Sequence, residues 1–182
     1  MYKYLLILIS AILIGCSAIA SLQPIQVNYD KFDNSTSFRT SEVVLNETFI
    51  FPTTLRAHAS KICQGSMVNC DADNIWISFT SFSKDWRYIG LSQIDLTFIA
   101  DGEVLEAGTA EIFDTDVLTT GGVQVRESML IALSQPTFMK IAFADTLEGK
   151  LGLVEFKVPN YKRDTWRALV NPFVMKKYFD SQ

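Results

Sequence analysis

The residues of this chain whose types could do chemistry are few: three cysteines, a single histidine and some closely spaced carboxylates. A serine nucleophile needs a base beside its hydroxyl, and here that base would have to be His58. It sits between Ala57 and Ala59, and no Gly-x-Ser-x-Gly elbow supports the triad, so His58 reads as a structural residue. Glycoside hydrolysis asks for two carboxylates about 5 to 9.5 Å apart. Asp71 with Asp73, Asp114 with Asp116 and Glu103 with Glu106 are the candidate pairs. Such pairs are common, and Asp71-Ala72-Asp73-Asn74 reads first as a polar turn whose side chains bond neighbouring backbone N–H groups. That turn lacks the Gly and distal Glu of a calcium loop, and Gly121-Gly122 lacks the Gly-Lys-Ser/Thr of a phosphate cradle. Cys63 and Cys70 have Gly65 between them, which lets the chain turn back, and they read as a disulfide. A metal centre would need more ligands than His58 can add. No catalytic residue, metal ligand or cofactor is assigned.

Asp85-Trp86-Arg87-Tyr88 is the one cluster with the makings of a recognition patch, flat aromatics beside charge in an expected loop. Trp86 and Tyr88 would stack on a sugar or a protein partner. The blander alternative has Trp86 closing the end of the core and Arg87 paired with Asp85 at the surface.

Cys16 closes an apolar run at the amino terminus, and its surroundings are those of an export signal. Lys3 supplies the positive charge, residues 5–13 an apolar stretch broken only by Ser10, and small residues follow. The apolar stretch over residues 4–20 falls short of the roughly 20 residues a spanning helix needs. Leu13-Ile14-Gly15-Cys16 resembles the lipobox of bacterial lipoproteins. That resemblance covers only the first 20 or so residues; the body of the chain resembles no family. It implies a diacylated Cys16, removal of residues 1–15 and an acylated new amino terminus. Ser17, rather than Asp, resembles the sorting signal for the outer membrane. Ala18-Ile19-Ala20 also fits an ordinary signal peptidase, which would release a soluble chain. Several acyl chains on one residue exceed the two anchoring signals that hold a protein on a bilayer, so no spanning helix is required.

Net charge is −4, one unit more negative once Lys3 leaves, and no basic stripe appears. That excludes nucleic acid as a partner. A hydrophobic content of 48% excludes wholesale disorder, and 13 Phe with frequent Val, Ile and Thr point to β-structure.

The elements follow from periodicity. Residues 16–40 read as a lipidated tether rich in Asn, Asp, Ser and Thr, although Ile25, Val27, Tyr29 and Phe32 alternate enough for a docked edge strand. Residues 41–51 alternate as a strand. Leu55, Ala59 and Ile62 share a helical face behind Thr54, while Ala57 and Ala59 also permit an extended reading. Ile75, Ile77 and Phe79 mark a central strand, and Ile94, Leu96, Phe98 and Ala100 another. The latter runs into Asp101-Gly102, the signal of a type I′ hairpin turn leading to Val104 and Leu105. Further strands are expected over residues 109–113, 123–133 and 147–158, with Glu127 interrupting the apolar face of Val125, Met129, Ile131 and Leu133. Gly149 and Gly152 suggest a bulge or a close backbone approach. Ser134 and Pro136 read as a helix start, and Trp166, Leu169, Val170 and Phe173 as one face of a carboxyl-terminal amphipathic helix that Pro172 kinks or stops.

The expectation is therefore a single β-rich α+β domain over residues 41–182: an antiparallel sheet or sandwich, a short helix near 135–145 and a carboxyl-terminal helix. In function it is a lipoprotein of the cell envelope, membrane-bound through Cys16, facing the periplasm or the exterior and acting as a non-catalytic binding or assembly component for an envelope protein or glycan. The alternatives are an envelope hydrolase using a carboxylate pair and, if the source is eukaryotic, a secreted glycoprotein modified at Asn34 or Asn46.

Overall fold

The computed structural model describes residues 25–48, 53–65, 70, 72–119 and 123–171. They form a sandwich of two antiparallel sheets. The larger contains β1 (Ile25–Asp30), β2 (Ser35–Thr40), β3 (Val43–Thr48), β4 (Thr53–Gln64), β5 (Asn74–Ser83), β8 (Glu111–Leu118) and β9 (Gln124–Ser134). Its order is β1-β2-β4-β5-β9-β8, and β3 shares an edge of β4 with β2. The smaller runs β11-β10-β6-β7, from β6 (Asp95–Ala100), β7 (Glu103–Thr109), β10 (Leu147–Leu151) and β11 (Val154–Lys157).

The core lies between the sheets, where period-two alternation puts Ile75, Ile77 and Phe79 of β5 beside Met129, Ile131 and Leu133 of β9. Leu96 and Phe98 of β6 and Leu147 and Leu151 of β10 face them. Phe156 joins the two layers, its ring centroid 6.1 Å from Phe98 and 6.2 Å from Phe79. Gly149 pairs with Phe156 in register, and a Cβ there would collide with the ring, so this glycine is the close approach its position suggested.

Two helices close one end. Ser134 caps α1 (Gln135–Phe143) by accepting the Thr137 N–H, with Pro136 in the first turn. A short 3-10 turn (Asn160–Arg163) runs into α2 (Asp164–Val170), which packs Trp166 against Phe138 at 5.9 Å between centroids. Arg163, fully buried, donates to the Ile141 and Asp145 carbonyls at 2.9 and 3.0 Å, and Arg167 to that of Ala142 at 2.9 Å. Two arginines thus occupy the orphan carbonyls at the end of α1, where cations are favoured.

Four expectations are corrected. Residues 25–40 are not a tether through their length: β1 and β2 form a hairpin paired to β4. The polar residues make its turn, with Asp30 accepting the Phe32 and Asp33 N–H groups and Asn34 at φ 48°. Thr36 and Thr40 point inward because their hydroxyls bond backbone, Thr36 to the Gly65 carbonyl and Thr40 to Ser41 while accepting the Ala59 N–H. The helical reading of Leu55, Ala59 and Ile62 gives way to the extended one, with Ile62 on the outer face at 55% exposed. Residues 109–113 are not one strand but the crossing between sheets, where buried Ala110 bonds the Ile94 carbonyl. Residues 147–158 fold back on themselves at Gly152, φ 56°.

Candidate functional site

At the end of the larger sheet away from the disulfide, β5 leaves its last residue, Ser83, opposite Val125 of β9, and β4 begins at Thr53. Residues 84–94 cross from here to β6. Glu127 organises this loop. It stands on the inner face of β9, fully buried, and its carboxylate accepts the backbone N–H groups of Arg87 at 2.9 Å, Tyr88 at 2.8 Å and Ile89 at 2.9 Å. Charge-assisted bonds of this kind are about twice as strong as neutral ones, so the loop is held to the sheet by its backbone. Ser83 adds a hydroxyl bond to the Asp85 carbonyl at 2.5 Å, and the Leu91 N–H one to Tyr88 at 2.9 Å. The β10–β11 turn packs on the same loop. The Gly152 N–H donates to the Asp95 carbonyl at 2.9 Å, and a Cβ on Gly152 would come within 3.0 Å of Leu91.

This arrangement divides the expected patch of Trp86, Arg87 and Tyr88. Tyr88 is turned into the core, 1% exposed, and burial pushes its hydroxyl well above the ordinary range. Arg87 bonds the Thr53 hydroxyl at 3.0 Å rather than pairing with Asp85. Trp86 stays out at 44% exposed rather than closing the core. Sequence reasoning missed Ile89 and Leu153, 53% and 79% exposed at the same end of the sandwich. A signal was present in Glu127, a lone acid on an apolar strand face, which marks three backbone donors needing an acceptor.

The other chemical residues lie elsewhere. Cys63 and Cys70 form the disulfide, joining the last turn of β4 to the approach to β5, with Cα atoms 5.7 Å apart. Cys16 and Asp71 lie outside the described residues. His58 is on the outer face of the larger sheet with Nδ1 3.5 Å from Arg39 Nη2, and desolvation, then the Arg39 charge, lowers its pKa to about 4. On the same face an extra residue, Phe113, shifts the β8 register so that Asp114 and Asp116 both face Arg126, at 2.8 and 3.6 Å. That carboxylate pair shares a guanidinium rather than converging beside Trp86. Glu103 pairs with Lys140 at 2.7 Å. The acceptor amides Asn34 and Asn46 are engaged, Asn34 accepting the Tyr29 hydroxyl and Asn46 donating to the Glu155 carbonyl.

Among the described residues no group of three or more His, Cys, Asp or Glu is placed to hold a metal ion, and no helix is long and apolar enough to cross a membrane. The chain matches no protein family, no curated protein and no solved structure.

Proposed function

We propose that this chain is a lipoprotein of the bacterial cell envelope, in which acyl groups on Cys16 anchor a β-sandwich that serves as a binding or assembly component. The observation that carries the reading is the Cys63–Cys70 disulfide in a chain whose amino terminus reads Leu13-Ile14-Gly15-Cys16. Both uses of cysteine belong to a compartment outside the reducing cytosol. Ser17 favours the outer membrane as the destination.

The sandwich presents paired charges on its outer faces, where a partner can meet them. Arg126 is set by Asp114 and Asp116, and Lys157 by Glu148 at 2.6 Å. Confinement to a membrane plane raises the effective concentration of such a surface for partners on the same membrane, without any added contact energy.

The test is Cys16→Ala with fractionation and mass spectrometry of the mature amino terminus. The reading expects acyl mass on wild-type Cys16 and transfer of the variant from the membrane to the soluble fraction. A wild-type chain that begins at Ser21, or a Cys16 without acyl mass, overturns it.

A further inference from the structure

We propose that the end of the sandwich formed by the 84–94 loop and the β10–β11 turn rests on the lipid bilayer, with Trp86, Ile89 and Leu153 entering the interfacial layer. The inference rests on the anchored reading above for the position of the membrane, and its own test reads the loops separately.

Three observations carry it. First, Trp86, Ile89 and Leu153 are 44, 53 and 79% exposed although they stand on backbone that is fixed in place. Glu127 holds the loop by three N–H groups, and Gly152 sits directly on Leu91 and Tyr88. A loose loop could fold such side chains away, whereas this one presents them without an ordering cost on binding. Second, the types suit a bilayer boundary. Tryptophan has an apolar body and one donor, which places it at the headgroup level, and Ile and Leu favour the acyl region below. Arg87, bonded to Thr53, follows Trp86, and Lys84 precedes it beyond Asp85, so the loop carries cations for lipid phosphates together with one acid.

Third, the direction of β1 favours an anchor at this end. Ile25 of β1 is level with Thr40, and the strand runs from there toward Asp30, away from the 84–94 loop. The amino end of Ile25 therefore points to the loop side. Eight residues separate Cys16 from Ile25, nine steps of the chain and a reach of up to about 30 Å when extended. The distance along β4 from the level of Ala59 to Thr53 is about 20 Å. Acyl chains on Cys16 can thus share a bilayer with the tip of the loop; the opposite end, five residues along β4 at Gln64, lies within the same reach, so it is the direction of β1 that favours the loop end.

The experiment uses the full-length protein, purified with its native amino terminus and reconstituted into phosphatidylethanolamine–phosphatidylglycerol vesicles with brominated acyl chains. Wild type and Trp86→Phe are compared, so that the difference reports Trp86 against the background of Trp76 and Trp166. The expected result is a quenched, blue-shifted Trp86 component. Acylated protein whose Trp86 emission is unquenched and water-like overturns the inference and leaves a protein partner as the occupant of this end. In a second arm, Cys16→Ala protein is sedimented with a large excess of the same vesicles, which reads binding too weak to survive cell fractionation, alone and with Trp86→Ser, Ile89→Ser and Leu153→Ser together. Loss of the three apolar side chains is expected to weaken sedimentation about tenfold or more; equal binding overturns the inference. The three positions are exposed, and near-ultraviolet circular dichroism checks that the variant is folded. Absence of acyl mass on wild-type Cys16 overturns the anchor alone, since the second arm does not use it.

Discussion

Replacing Glu127 tests the organisation of the loop end. Its carboxylate accepts three backbone N–H groups at 2.8 to 2.9 Å from a fully buried position. Glu127→Ala leaves the donors of Arg87, Tyr88 and Ile89 without a partner. At about 1 to 3 kcal/mol for each unsatisfied group, reduced where the loop lifts and water enters, the loss is about 3 to 5 kcal/mol. Glu127→Gln keeps one acceptor oxygen but turns an amide donor toward an N–H, and is expected to cost about 1 to 2 kcal/mol. Urea unfolding with the disulfide intact is the assay. With a slope of about 2 kcal/mol/M, the midpoint of the Ala variant falls by about 2 M. Hydrogen exchange adds a local readout, with amide protection at residues 87–89 lost before that of β5 and β9. An Ala variant with an unchanged midpoint and unchanged exchange at these amides would refute the account of the loop.

Two further outcomes follow from the same geometry. Gly149→Ala places a methyl group in the Phe156 ring, and is expected to destabilise by about 1 to 3 kcal/mol by urea unfolding, partly restored by adding Phe156→Leu; equal stability of Gly149→Ala and wild type would contradict that contact. The fold holds His58 neutral, at about 4 against an ordinary 6.5, so the unfolded chain binds the proton more readily. This contribution is complete above pH 6.5 and is lost as pH falls toward 4. The melting temperature of wild type is therefore expected to drop more steeply over that window than that of His58→Gln, and parallel curves would show that burial of the imidazole has no such effect.

Much of the fold was legible because its signals are local. Asp101 and Gly102 take φ 51° and 83°, as a type I′ turn demands, and Asp101 also accepts the N–H groups of Asp145 and Thr146, which hold its carboxyl below the ordinary range. Ser134 and Pro136 likewise act within one helical turn. The errors arose where partners are distant in sequence. Thr36 and Thr40 look unfit for a core until Gly65, Ser41 and Ala59 supply their bonds. In β4 the inner row includes Lys61, 5.5 Å over the Phe38 ring, so polarity hid the alternation and Leu55, Ala59 and Ile62 mimicked a helix. The patch was divided for the same reason: nothing near Tyr88 announces that a glutamate 39 residues later will draw its backbone inward.

The central pairing of β5 with β9 has a consequence for biogenesis. Ser83 meets Val125 and Asn74 meets Ser134, with the whole β6–β8 region intervening. A polypeptide that emerges amino terminus first therefore cannot complete its larger layer until residue 134 is free, and β5 waits with one flank unpaired. Such non-local closure is slow and leaves strand edges open to other chains. Truncation anywhere before β9 should therefore yield aggregate rather than a smaller folded product.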